Sequence, residues 1–212
     1  MLKQLLATGL VLAAATALTV AQTPNRPSSP TATASTQVGG QWVKGERGQR
    51  YDGGKWIDLT YSGPIKRGRT TLWGSGADYG KTLLGGAPVW RAGANVSTRL
   101  KTEGVLQIGG KAVPPGEYSL FIDLKSPTDW TLIVSSWGAQ TKYDDKNKTE
   151  LWGSYGYTPE KDVARVAMKV DQLPMSIDQL TWSFGDVTAT GGKLVLMWDN
   201  VVASAPFTLA AQ

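Results

Sequence analysis

Glu117–Ser135 reads EYSLFIDLKSPTDWTLIVS, and its reading decides the fold. Tyr118, Leu120, Ile122 and Leu124 recur at every second position, with Ser119, Phe121 and Asp123 between them. A period of two puts each set on its own face of an extended strand. Ser126-Pro127-Thr128-Asp129 supplies turn residues, after which Trp130, Leu132 and Val134 resume the alternation. The two runs are expected to pair antiparallel. Burying such a row contributes roughly 1.5–3 kcal/mol per large apolar side chain, which makes this hairpin the expected nucleus of the core.

The same pattern extends outward. Upstream, Gly109-Gly110 is a tight-turn signal behind Val105–Ile108, and Glu103-Gly104 separates that run from Thr98–Thr102. Ile57, Leu59 and Tyr61 alternate with Asp58 and Thr60 until Gly63-Pro64 stops the run. Downstream, Asp162–Val170, Leu180–Phe184, Lys193–Trp198 and Ala205–Leu209 read as further strands. With 25 Gly and 11 Pro to make turns, the chain is expected to be all-β: an antiparallel sandwich or jelly roll of about nine strands. No amphipathic helix and no internal repeat stand out. Lys66–Gly86 is a long Gly-rich connection, Gln41–Lys55 a loop or weak hairpin, and Ser136–Glu150 a polar loop. The last is expected to be solvated; calcium binding by its carboxylates is the weaker alternative, since the acidic ladder of an EF-hand is absent.

Residues 1–21, MLKQLLATGLVLAAATALTVA, carry one Lys, an apolar Leu/Ala run and small residues at the end, the layout of a signal peptide. The run is short for a membrane span, and no other stretch is long and apolar enough to be one. The protein is therefore expected to be exported, periplasmic or secreted. Residues 22–40, rich in Pro, Ser and Thr, are expected to form a flexible lead-in, and 41–212 one β-rich domain. The net charge of +5 is spread out rather than clustered, which argues against nucleic acid as a partner. The chain has no Cys and no His. Disulfides, thiol nucleophiles, imidazole bases and His/Cys zinc sites are excluded with them, and neither cofactor nor metal is expected.

Three stretches carry a family likeness. Arg67-Gly68-Arg69 precedes Tyr79-Gly80 and VWRAGAN (89–95); GGKAVPPGEYSLF (109–121) and WGSYGY (152–157) with DVARV (162–166) follow in order. Together they resemble the bacterial family catalogued as domain of unknown function 2911, over roughly Trp56 to Leu209. The resemblance implies a common fold and export, and supplies no catalytic assignment. LLGGAP (83–88) departs from the family pattern as an insertion.

Two constellations suggest ligand contact. Trp90, Arg91 and Asn95 combine an indole, a bidentate guanidinium and a carboxamide, suited to a carboxylate, phosphate or sulfate. The competing reading has Trp90 in the core, Arg91 paired with an acid such as Asp162, and Asn95 capping a turn. Trp152, Tyr155 and Tyr157, together with Trp73 and Tyr79, offer flat rings for a sugar, with Arg165 nearby, or else they fill space between sheets. The expected function is binding of a small ligand, glycan or envelope partner without catalysis. A glycan hydrolase using two acids among Glu103, Glu117, Glu150, Asp162 and Asp199, and a purely structural module, are the alternatives.

Overall fold

The computed structural model describes residues 27–210. Fourteen strands occur among them: β1 (Thr31–Val38), β2 (Gln41–Gly45), β3 (Gly48–Asp52), β4 (Lys55–Ser62), β5 (Thr98–Thr102), β6 (Leu106–Ile108), β7 (Lys111–Val113), β8 (Gly116–Leu124), β9 (Trp130–Ser135), β10 (Gly138–Ala139), β11 (Glu150–Leu151), β12 (Asp162–Ala167), β13 (Lys169–Thr188) and β14 (Gly191–Leu209). Six form one sheet in the order β1-β4-β5-β8-β9-β12, and four form another in the order β13-β14-β6-β7. Pairing is antiparallel throughout both sheets. The expected signal peptide lies outside the described residues.

The expected hairpin forms inside the larger sheet, between β5 and β12. Leu120 faces Val134, Ile122 faces Leu132 and Leu124 faces Trp130 across β8 and β9. Those residues join the main core, while Phe121 and Ile133 on the reverse face belong to a second, smaller cluster. Gly109 and Gly110 make the two-residue turn between β6 and β7, both at positive φ (57° and 75°). A Cβ on Gly109 would lie 2.2 Å from the Arg165 carbonyl, so the site excludes any side chain.

Three sequence expectations need correction. The strand count is fourteen rather than about nine. Part of the expected lead-in is β1, registered residue by residue against β4 from Thr31↔Ser62 to Val38↔Lys55. Its apolar alternation starts with Ala32 and Ala34, too small to signal a strand locally, and reaches a large buried side chain only at its last residue, Val38; the β4 edge supplies its hydrogen bonds. The run read as one strand, Asp162–Val170, divides at Met168. Ala167 still pairs with Thr131 on β9, but Lys169 pairs with Ser204 on β14, so the chain changes sheets at that residue. The weak hairpin between 41 and 55 is an ordered one, β2 with β3.

Between the sheets lies a tryptophan cluster. Trp73 is 5.0 Å from Trp130, 5.8 Å from Trp198 and 5.9 Å from Trp90, centroid to centroid, and Trp90 stacks on Trp198 at 6.2 Å and 15°. Trp130 donates to the Tyr79 hydroxyl at 2.9 Å. Burial pushes the Tyr79 phenol upward, opposed by that donor.

A part-buried ion pair, Lys66 with Asp199, joins the turn after β4 to β14. Burial alone would raise the Asp199 pKa, but the hydrogen bonds from Lys66 and Ser176 and the Lys66 charge outweigh it and hold the carboxyl below its usual range. A depressed carboxyl pKa contributes stability that is present above the unfolded value, about 3.9, and lost as pH falls through the folded one. Asp199→Asn retains a residue that tolerates the positive φ of 53° here. It is expected to cost about 1–3 kcal/mol at neutral pH, with the gap to the parent closing at acid pH as the parent's carboxyl takes up its proton. Urea unfolding at the two pH values checks this; an equal gap at both would rule the ion pair out as the cause.

Candidate functional site

The segment from Ser136 to Lys161 crosses the outer face of the larger sheet. Beneath it, Phe121 and Ile133 pack with Val89, Leu151 and Tyr157, and Trp137 closes the cluster from the side. Period-two alternation in β8 and β9 thus feeds two cores, and the smaller one gives this segment a floor.

Gln140 shapes the loop above that floor. Its side chain is buried, and its Nε2 lies within hydrogen-bonding distance of the carbonyls of Asp144, Asn147 and Glu150 (3.0, 3.3 and 3.0 Å). Its Oε1 accepts from the Asp144 amide at 2.8 Å. Asn147 Oδ1 accepts from the amides of Thr149 and Glu150, and its Nδ2 donates to Glu150 Oε2 at 2.8 Å. At the neck, β10 and β11 pair in parallel. Arg99 braces the neck from the sheet, donating to Glu117, Ser119 Oγ and the Trp137 carbonyl.

The result is an open cleft of about 280 Å³. Trp137, Tyr143, Trp152 and Tyr155 form its aromatic lining, and Asp144, Asp145, Asn147 and Glu150 bring acceptors to it. Tyr143 and Tyr155 are 63% and 45% exposed, too much ring surface in water to be explained by core packing. Tyr143 meets Trp152 edge-on at 6.4 Å. The Lys161 ammonium sits 3.7 Å above the Trp137 ring, so that face already holds a cation.

The residues singled out in the sequence separate into four places. Trp90, 1% exposed, is in the core, donating from Nε1 to the Gly93 carbonyl at 3.2 Å. Its backbone bonds Ile122 in both directions at 2.8 Å, continuing the line of β5 beside β8. Arg91 does not pair with Asp162. It donates to the Asn95 carbonyl at 3.0 Å, lies against the Gly153 backbone, and holds its guanidinium 5.4 Å from the Tyr155 ring. Asn95 is exposed at φ 58°.

Trp152 and Tyr155 line the cleft, and Tyr155 also donates to the Gly85 carbonyl at 3.0 Å, so the LLGGAP stretch supports that ring. Tyr157 and Arg165 lie apart from it. Tyr157 donates to Asp162 Oδ2 and Arg165 does the same, both at 2.7 Å. Burial first, then the Asp162 carboxylate, pushes the Tyr157 phenol far above its ordinary range. Burial works against the Arg165 charge, and Asp162 with Tyr157 more than restores it.

A family model described as "Protein of unknown function (DUF2911)" matches residues 44–207. The chain belongs to the DUF2911 family. No curated protein and no solved structure matches it. The matched segment of this DUF2911 protein runs from within β2 to within β14, so the cleft and all of both sheets except β1 and the last residues of β14 fall inside it. The five acids weighed for catalysis are dispersed across the domain. Glu103 accepts from the Trp56 amide, Glu117 from Arg99, Glu150 from Asn147, Asp162 from Tyr157 and Arg165, and Asp199 from Lys66. No helix of the described residues is long and apolar enough to cross a membrane. Gln140, Asn147, Trp137 and Arg99 were not legible as site-forming in sequence. Arg99 and Trp137 act on partners distant in the chain, Gln140 and Asn147 largely on the backbone of their own loop, and a lone Gln in a polar loop carries no pattern.

Proposed function

We propose that this DUF2911 protein is an exported domain that binds a glycan without transforming it, using the cleft between Trp137 and Tyr155. The signal-like run at 1–21 supports export. What carries the reading is the pairing of exposed rings, Tyr143 and Tyr155 beside Trp152, with a loop already hydrogen-bonded into one shape around Gln140. Sugar rings present apolar C–H faces that stack on aromatics and hydroxyls that donate to carboxylates and carboxamides. A preformed loop lowers the ordering cost of binding. A cleft of about 280 Å³ suits one or two sugar units rather than a long chain.

Binding is favoured over hydrolysis because Asp144, Asp145 and Glu150 are all exposed at the rim. A glycosidase general acid needs an apolar enclosure that holds its proton at working pH. Calorimetric titration with a panel of neutral and amino sugars and their short oligomers tests the reading, with tryptophan emission as a second signal. Trp152→Ala is expected to weaken any sugar found by about tenfold or more while leaving the melting temperature nearly in place. Absence of saturable binding across the panel, or unchanged affinity in Trp152→Ala, would remove the glycan from this cleft.

A further inference from the structure

Arginines 67 and 69 sit away from the cleft, on the turn Lys66–Arg69 that follows β4, and the glycan reading does not use them. The turn is closed by the Arg69 amide donating to the Lys66 carbonyl at 3.2 Å, with φ of 51° at Arg67 and 73° at Gly68. Two consecutive positive φ angles make the primed type of turn, which favours Gly, Asn or Asp at its centre. An arginine in the first of these positions holds a conformation that other residues adopt at lower cost.

The strain is concentrated. Five non-glycine residues have positive φ among the described residues: Arg67, Ala92, Asn95, Asp186 and Asp199. Arg67 is on this turn, Ala92 and Asn95 flank Ala94 in the loop beside it, and Asp199 bonds the turn's Lys66. Only Asp186 lies elsewhere. Backbone strain of this kind gathers where a site is being shaped. Here the surroundings hold it: Thr98 Oγ1 and Trp182 Nε1 both donate to the Ala92 carbonyl, at 3.0 and 2.9 Å.

Between turn and loop is a hollow of about 420 Å³, lined by Ser28, Ser29, Arg67, Arg69 and Ala94. Arg69 is fixed by donating Nε to the Lys66 carbonyl and Nη2 to the Ile65 carbonyl, both at 3.0 Å, and its guanidinium lies 5.4 Å from the Trp198 ring. Arg67 makes one long contact, 3.4 Å to the Ser28 carbonyl. Among the described residues neither arginine forms an ion pair with a carboxylate, whereas the neighbouring Lys66 is neutralised by Asp199. A guanidinium has five donors, so each arginine keeps several for a ligand.

We propose that this hollow is a second binding site, for the oxyanion of a small organic ligand, a phosphate or a carboxylate, gripped between Arg67 and Arg69. Planar donor forks match both oxyanions, and the hollow is larger than a bare ion requires. Arg69 over Trp198 gives the site its own optical reporter.

The test uses the purified protein, titrated with inorganic phosphate, glucose 6-phosphate and glucuronate against chloride at matched ionic strength. Melting temperature and tryptophan emission are read together. Saturable response to glucose 6-phosphate or glucuronate beyond that to chloride is expected, the two arms separating phosphate from carboxylate. The deciding variant is Arg67→Gly, which removes the guanidinium and relieves the positive φ, so it should fold at least as well as the parent. It is expected to bind about tenfold more weakly or worse. Responses no larger than chloride's, or Arg67→Gly binding as the parent does, would overturn the site.

Discussion

Trp90→Ala is expected to lower the stability of the domain by about 3–5 kcal/mol, the range for deleting a buried aromatic where the surroundings relax only in part. At about 2–4 °C per kcal/mol for a domain of this size, the melting temperature should fall by about 6–20 °C. The side chain is 1% exposed and touches Trp73, Trp130 and Trp198 within 6.5 Å between centroids, so its loss leaves a void walled by three rigid indoles. Trp130 and Trp198 cannot rotate into the space without breaking their own bonds, to the Tyr79 hydroxyl and the Asp178 carbonyl. The Gly93 carbonyl loses its indole donor as well. That carbonyl belongs to the loop between Trp90 and Thr98, whose ends lie in line beside β8, so the damage should spread to Arg91 and Asn95. Trp90→Phe separates the two causes, since it refills much of the void but leaves the carbonyl unpaired; it should lose less than half as much. Denaturant unfolding measures both. A loss below about 1 kcal/mol for the alanine variant would mean the cluster is not what joins the sheets here.

Gln140→Glu should be nearly as damaging, although the two side chains have almost the same shape. The amide nitrogen of Gln140 faces three carbonyl oxygens, and in the variant a carboxylate oxygen would face them instead. Attraction becomes repulsion in a buried position, at a cost of about 2–4 kcal/mol. Protonating the new carboxyl returns one donor. A carboxyl that holds its proton more tightly in the folded state contributes stability fully present below its unfolded value, about 4.3, and lost as pH rises. The variant should therefore be closest to the parent near pH 4 and fall furthest behind at about pH 7 and above. Unfolding curves across that range give the stability. Hydrogen exchange at Asp144, Thr149 and Glu150 should show the loop opening locally, because their amides are tied to Gln140 or Asn147. Retained protection of these amides at pH 7 would show that the loop is held by something other than Gln140.

The two variants mark different degrees of legibility. Trp90 could be read as a core residue or a ligand contact from the sequence, since an indole beside an arginine fits both. The ladder partner Ile122, 32 positions away, places it in the core. Gln140 offered nothing to read, because its partners are backbone carbonyls, which every residue possesses. Charge alone makes Asp162 a candidate partner for Arg91, but Arg165, three residues from Asp162, reaches that carboxylate from the same strand. The aromatic residues 152 and 155 were legible as a pair of flat rings; that Trp137 and Tyr143 join them depends on a neck closed by β10 and β11.

From the sequence by itself came the all-β class, the β8–β9 hairpin with its two faces, the turn at Gly109-Gly110, and the absence of thiol and imidazole chemistry. These follow from local rules: a period of two, the φ freedom of glycine, and the presence or absence of a functional group. Only the tertiary structure decided that β1 completes the sheet, that the chain changes sheets at Met168, and that the outer face of the hairpin floors an aromatic cleft. Those outcomes rest on hydrogen bonds and packing between segments far apart in the chain. Their strength comes from register and burial, and neither exists until the sheets have closed on each other.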